Sequence, residues 1–488
     1  TDAQRALLGT SNTDWNDQIY QNAFGTDNNV SIAGRLAKNF PIRVSIGYYN
    51  QSGLLKTDKA ERLTGSVSLS PSFFDDHLKV NVNVKGSVNN NRFAETGAIW
   101  AAATYNPTLP VYSGNHAFGG YLEALDNVGE PVNAAVLNPL GYIKQNKSTS
   151  KVTRFVGNAD VDYRVHFLPD LKFHATLGYD YAEGKGKVYV PAEAMQYYTT
   201  GGRDYSYGPQ KNTNRLLTTY LNYNKYLDSW KSNIDATVGY DYQFWKSTSP
   251  LYSELNTLGA VQSTSAATDQ RHALISYYAR LNYTFDSRYM LTATVRRDGT
   301  SRFNKDNRWG TFPSVALAWR VSEEAFLKDN TVLSNLKLRA SYGVTGQQDG
   351  IGNYNYLPVY TYSQTGAEVQ FGNQFINTYR PEAYVSDLKW ETTTSWNAGF
   401  DFGFLKDRIS GSFDFYTRKT EDLLATVAAP AGSTFDKTIL TNVGNVDSKG
   451  IEVTLNATPI QTKDWNWDVS FNMTWQKMKV KNLSLVES

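Results

Sequence analysis

Apolar and polar residues alternate one by one along much of this chain. Between residues 389 and 420, Trp396, Ala398, Phe400, Phe402 and Phe404 share one parity, and Asn397, Gly399, Asp401 and Gly403 the other. After the short break Leu405-Lys406-Asp407-Arg408, Ile409, Gly411, Phe413 and Phe415 alternate with Ser410, Ser412, Asp414 and Tyr416. A period of two describes a strand with two unlike faces, and a break this short fits a tight antiparallel turn. Each run approaches the roughly 9–11 residues that a tilted strand needs to cross a bilayer.

The pattern repeats. It predicts strands over residues 29–37, 42–51, 62–70, 78–89, 153–165, 171–182, 215–226, 232–245, 273–285, 289–298, 311–321, 336–344, 449–458 and 465–480 beside the hairpin, about sixteen in all. One or two more fit between 353 and 378, and residues 14–24 suit either a short helix or an entry segment. In 78–89, Leu78, Val80, Val82 and Val84 oppose Lys79, Asn81, Asn83 and Lys85. A lipid-facing lysine near the bilayer midplane costs roughly 2–4 kcal/mol, so the lysines are expected on the other face.

Short connections (72–77, 167–170, 227–231, 286–288, 405–407, 460–464) alternate with long ones (91–150, 183–214, 246–272, 299–310, 345–390, 421–447). The medium connection 322–335 has room for a helical turn. Short turns at one end and long loops at the other belong to an outer-membrane barrel, with the turns periplasmic and the loops extracellular. Phe73, Phe74, Tyr226, Trp230, Phe285, Tyr289, Trp465 and Trp467 flank the short turns, where an interfacial aromatic belt would lie. Packing within an ordinary half-buried sheet is the alternative reading of those rings. The expected fold is all-β, a large antiparallel transmembrane β-barrel of outer-membrane type.

Composition narrows the chemistry. The 488 residues contain no Cys, which excludes disulfides and thiolate metal sites, and a net charge of +2 gives no reason to expect a nucleic-acid partner. The mean hydropathy is negative, but polar inward residues hold it down in any barrel. No apolar run approaches the 18 or more residues of a membrane helix. The five histidines show neither an HExxH pattern nor paired metal spacing, so no enzyme activity, metal or other cofactor is expected. Glu183-Gly184-Lys185-Gly186-Lys187 is rich in Gly and Lys, as phosphate loops are, but lacks their spacing.

Several segments resemble the SusC/RagA family of TonB-dependent outer-membrane transporters. Leu388-Lys389-Trp390-Glu391-Thr392 with Trp396-Asn397 and Phe400-Asp401-Phe402 is similar to its LKWE segment, and Phe415-Tyr416 with Lys419 to Leu424 to the segment that follows. Arg296-Arg297-Asp298-Gly299-Thr300-Ser301-Arg302-Phe303, Ser341 to Gln347, and Val44 to Gly53 resemble three further family segments. The resemblance runs from about Trp15 to Trp475. It implies active import of a large nutrient across the outer membrane, an oligosaccharide first and a peptide second. It also implies a SusD-like surface lipoprotein as partner, coupling to TonB, and contact with outer-membrane lipid. The family carries a plug and a TonB-binding segment ahead of its barrel, and neither is expected within residues 1–488. Large transporter barrels close at about twenty-two strands, so residues 1–488 are expected to form part of one barrel domain with further strands after Ser488. A passive diffusion porin and a soluble β-rich carbohydrate-binding protein are the rival readings.

Candidate binding residues lie in the long connections: Trp100, Tyr105 and Tyr112 in 91–150, and Tyr205 and Tyr207 in 183–214. Aromatic faces stack on sugar rings, and loops on a rigid scaffold are common binding sites. Packing of loop on loop, or against a partner, is the equal alternative. Inward polar residues such as Asp160, Asp162, Arg164 and Asp241 read as wall residues facing water or a plug before they read as substrate contacts.

Overall fold

A computed structural model describes residues 8–482 apart from 115, 133, 329, 364–366 and 435. The chain divides into two compact units, residues 1–160, 177–215 and 245–271 in one and 161–176, 216–244 and 272–488 in the other. In the first unit Gly25–Ala37, Phe40–Ser52, Lys59–Leu69 and Leu78–Phe93 pair antiparallel, each with the next. In the second, Tyr289–Thr300 pairs with both Thr268–Phe285 and Trp309–Arg320. The meander continues through Leu333–Gln347, Glu391–Phe404, Ile409–Glu421, Asn445–Gln461 and Asn466–Lys481. Lys147–Arg164, Leu171–Val190, Arg203–Leu227 and Ser232–Ser249 each place residues in both units.

The registers keep like faces together. Phe400 lies opposite Leu338 on one side and Phe413 on the other, and the two phenylalanine rings stack at 5.7 Å. Tyr342 and Trp396 are likewise partners, their rings 4.6 Å apart. On the other parity, the Arg339 guanidinium bridges Asp401 and Asp414 at 2.8 and 2.9 Å. A slip of one residue would exchange the two faces, setting phenylalanines against this ion-pair cluster.

Three of the short turns share one device. In Phe285–Arg288 the Arg288 N–H donates to the Phe285 carbonyl at 3.0 Å. The two central residues, Asp286 and Ser287, have φ of 48° and 55°. Asp75-Asp76 and Lys406-Asp407 occupy the same left-handed region. Turns with positive φ at both central positions match the right-handed twist of the strands they join. Asp, whose short side chain tolerates this conformation, recurs in all three.

Three expectations needed correction or refinement. Residues 183–214 are not a free loop, because Leu171–Val190 and Arg203–Leu227 run on well past the apolar rows and leave only 191–202 between them. The strand pattern fades there since both faces become polar, while backbone pairing needs no apolar side chains. Residues 14–24 do contain a helix, Trp15–Ile19, and 322–335 opens on the 3-10 turn Val321–Glu323. In each unit the buried hydrophobic cluster is built mainly from residues outside the long strands. Apolar rows of the strands stay exposed, as a lipid-facing wall requires.

Candidate binding site

The first unit carries a small helical cap. Asp14 starts the helix Trp15–Ile19 by accepting the Asn16 and Asp17 N–H groups at 2.9 and 3.3 Å. The Trp15 indole donates to the Asn106 carbonyl at 3.1 Å. Gly97–Thr104 buries Ala98, Ala101 and Ala102, whose small side chains admit Trp15, Ile19 and Ile143 into one core. Trp100 faces away from that core and is 64% exposed.

Tyr105 does not display its ring. It is 9% exposed, meets Trp15 edge to face at 4.7 Å, and donates its hydroxyl to the Leu122 carbonyl at 2.7 Å. Burial next to Glu123 holds its phenol well above the usual range. Its place in the chain offered no means of separating it from Trp100, since both sit in one insertion. Tyr112 is 58% exposed and stacks on Tyr121 at 5.4 Å. Tyr205 and Tyr207 lie on the strand Arg203–Leu227, both half-buried. The Tyr207 ring fills the space a side chain at Gly186 would need. Burial, then Glu254, raises the Tyr205 phenol. Trp100 and Tyr112 are therefore the two candidate rings with open faces on the cap.

A polar node that the sequence reading missed holds the cap together. Asn138 is fully buried. Its Oδ1 accepts from the Leu140 and Gly141 N–H groups at 3.1 Å each, starting the helix Pro139–Lys144. Its Nδ2 donates to the carbonyls of Val111 and Leu122 at 2.9 and 3.2 Å, and its own N–H donates to Glu123 Oε2 at 3.0 Å. Burial pushes the Glu123 carboxyl up to about 7 despite that bond. Asn followed by Pro at a helix start is a readable signal, although its three distant partners, Val111, Leu122 and Glu123, are not.

The second unit shows what two of the resembling segments do. Phe303 and Leu388 are fully buried and pack with Phe312, Ile351 and Trp390. Trp390 meets Phe303 and Phe312 edge to face at 5.7 and 5.4 Å and donates to the Arg308 carbonyl at 3.1 Å. These segments close the loop end around a core.

The polar parity of the first unit lines a cavity of about 610 Å³ with Asp27, Tyr49, Arg62, Lys85, Asn89 and Arg154. Arg62 lies 5.2 Å over the Tyr49 ring, and Arg154 grips Asp180 with two bonds of 2.9 and 2.8 Å. Gly47 leaves room for the Asn29 and Thr64 side chains, which a Cβ there would strike. Such a surface offers hydrogen bonds to water, protein or a hydroxyl-rich ligand alike. Among the described residues, no group of three or more His, Asp or Glu side chains is placed to hold a metal.

Residues 101–486 match the family described as TonB dependent receptor-like, beta-barrel. The chain belongs to that family. It is 42% identical over 98% of its length to the TonB-dependent receptor SusC of Bacteroides thetaiotaomicron, covering 49% of that relative. A TonB-dependent receptor of Formosa agariphila is 29% identical over 99% of the chain, which covers 48% of it. The RagAB peptide importer in its closed-closed state shares the fold with a TM-score of 0.77 at 23% identity, over 98% of this chain and 53% of that one. The chain thus spans about half the length of the curated relatives it matches.

The protein is a SusC/RagA-type receptor barrel of the outer membrane, and its strands carry one apolar and one polar parity. The rings at the short turns fit a periplasmic belt. Phe285, Tyr289 and Trp319 stack in series at 6.1 and 6.3 Å, and Glu324 accepts from the Tyr289 hydroxyl and the Trp319 indole at 2.6 and 2.9 Å. Among the described residues no helix is long and apolar enough to cross a membrane, and a barrel of this family crosses with strands.

Proposed function

We propose that this receptor barrel serves TonB-dependent import of a large nutrient, caught on the extracellular side with a SusD-like surface lipoprotein. The observation that carries the reading is the 42% identity to SusC over nearly the whole chain. The open faces of Trp100 and Tyr112 on a rigid cap support an oligosaccharide as substrate, since aromatic planes stack on sugar rings. A peptide is the second reading, and the fold shared with a peptide importer favours it. Coupling to TonB would act through a plug, and residues 1–488 would contribute to one barrel domain. In cells carrying the protein, uptake of labelled oligosaccharides and oligopeptides is measured before and after the proton gradient is collapsed. Import reads as a strong uptake of one class that stops with the gradient. Uptake that continues unchanged makes the protein a passive pore.

A further inference from the structure

A second cavity opens on the lipid-facing parity of the first unit. It has a volume of about 570 Å³, and Lys59, Arg92, Lys151, Lys185 and Lys187 line it with Glu61 as the one carboxylate among them. Lys59 pairs with Glu61 at 2.6 Å and Lys187 with Asp204 at 2.8 Å. Five cations against two carboxylates leave an excess of positive charge. Lys59 and Arg92 are direct cross-strand partners, an arrangement of like charges that destabilises a sheet unless an anion lies between them. The Arg92 Nε is buried with no hydrogen-bond acceptor.

The level of this cavity follows from the strands. On Lys59–Leu69 the cation stands four residues beyond Leu63, on Leu78–Phe93 four beyond Val88, and on Lys147–Arg164 four beyond Phe155. On Leu171–Val190, Lys185 stands four beyond Tyr181. Leu63 and Phe155 are exposed members of apolar rows. Four residues rise about 13 Å along a strand, or about 10 Å of height at a tilt of about 40°. The headgroup layer begins at the edge of the hydrocarbon and is about 5–8 Å deep on each side. Lysine and arginine side chains can reach back towards it. All these cations lie on the side away from the short turns, which in this barrel is the extracellular side.

We propose that this cavity binds the phosphorylated headgroup of an outer-leaflet lipid. Phosphate monoesters supply the acceptor oxygens that Arg92 lacks and the negative charge that the Lys59–Arg92 pair needs. A free phosphorylated glycan offers the same chemistry. The lipid is assigned because the cavity opens on the parity that meets the bilayer, not on the interior parity. The inference rests on outer-membrane placement and stands apart from import.

The test uses the protein purified from outer membranes in mild detergent and stripped of lipid by exchange. Binding of diphosphorylated lipid A, of the same lipid with its phosphates removed, and of glucose 1-phosphate is measured by native mass spectrometry. Wild type is expected to bind the diphosphorylated lipid at least tenfold more tightly than the other two. Lys151→Gln with Lys185→Gln should remove that preference, and Lys151→Arg with Lys185→Arg should keep it, with strand content by circular dichroism unchanged in both. If the Gln pair does not insert, the wild-type preference and its loss in high salt decide alone. Equal binding of the two lipids, or an unaltered preference in a folded Gln pair, overturns the site. Equal affinity for glucose 1-phosphate overturns its assignment to lipid.

Discussion

Single side chains decide the character of the cap. Trp100 and Tyr105 lie five positions apart, yet one is open to solvent and the other is core. Trp100→Ala should weaken binding of ligand or of the surface lipoprotein by about 0.5–1.5 kcal/mol and leave thermal unfolding unchanged. Tyr105→Phe should do the reverse, losing the bond to Leu122 and about 1 kcal/mol of stability with binding kept. Measuring affinity and unfolding on both variants separates the roles, and matched losses in both would refute the division. Glu123 gives the cap a pH dependence. Its folded-state carboxyl sits near 7, above the ordinary 4.5, so the folded cap holds this proton more firmly than the unfolded chain does. Its contribution is fully present below about 4.5 and is lost as pH rises through about 7. Glu123→Gln keeps an acceptor for the Asn138 N–H and should flatten that slope. Limited proteolysis of the cap between pH 5 and 8 reads it, with wild type the more readily cut at pH 8. Asn138→Ala removes a helix cap and the partner of two buried carbonyls, and should cost about 2–4 kcal/mol in the same assay.

At the scale of one strand, Ile409–Glu421 carries the argument. Phe413 shares the apolar parity and meets Phe400, while Asp414 takes a bond from Arg339 at 3.0 Å on the other face. Spin labels at 413 and 414 should differ sharply, the first relaxed by oxygen from lipid and the second by a water-soluble agent. Equal accessibility at the two positions would remove the facing assignment. Where a strand faces lipid, its sequence announces it. Where a strand rises above the hydrocarbon layer, as in the later part of Leu171–Val190, both faces are polar and the period disappears from view. This is why 183–214 reads as a loop and folds as two strand ends.

For the molecule as a whole, the alternation of short and long connections sets its orientation. The tip at Gly129, with φ of 91° and no neighbour where a side chain would point, suits a tag better than Gly119, which sits against Gln145. A tag at Gly129 should be labelled on intact cells. Labelling only after lysis would place the cap on the periplasmic side and reverse both the import and the lipid readings.

Face, turn position and family were legible in the residues alone, because a period of two and a two-residue turn are local properties of a strand. The rows Trp396 to Phe404 and Ile409 to Phe415 needed no fold to be recognised. Tertiary structure alone decided which rings of the cap are core, because burial depends on partners such as Trp15 that lie about ninety residues away in the chain. It alone gathered Asn138 with Val111, Leu122 and Glu123, and set Lys59 beside Arg92, Lys151 and Lys185 on neighbouring strands. Charge and hydrogen bonding act through space, and the order of residues along a chain does not record those distances.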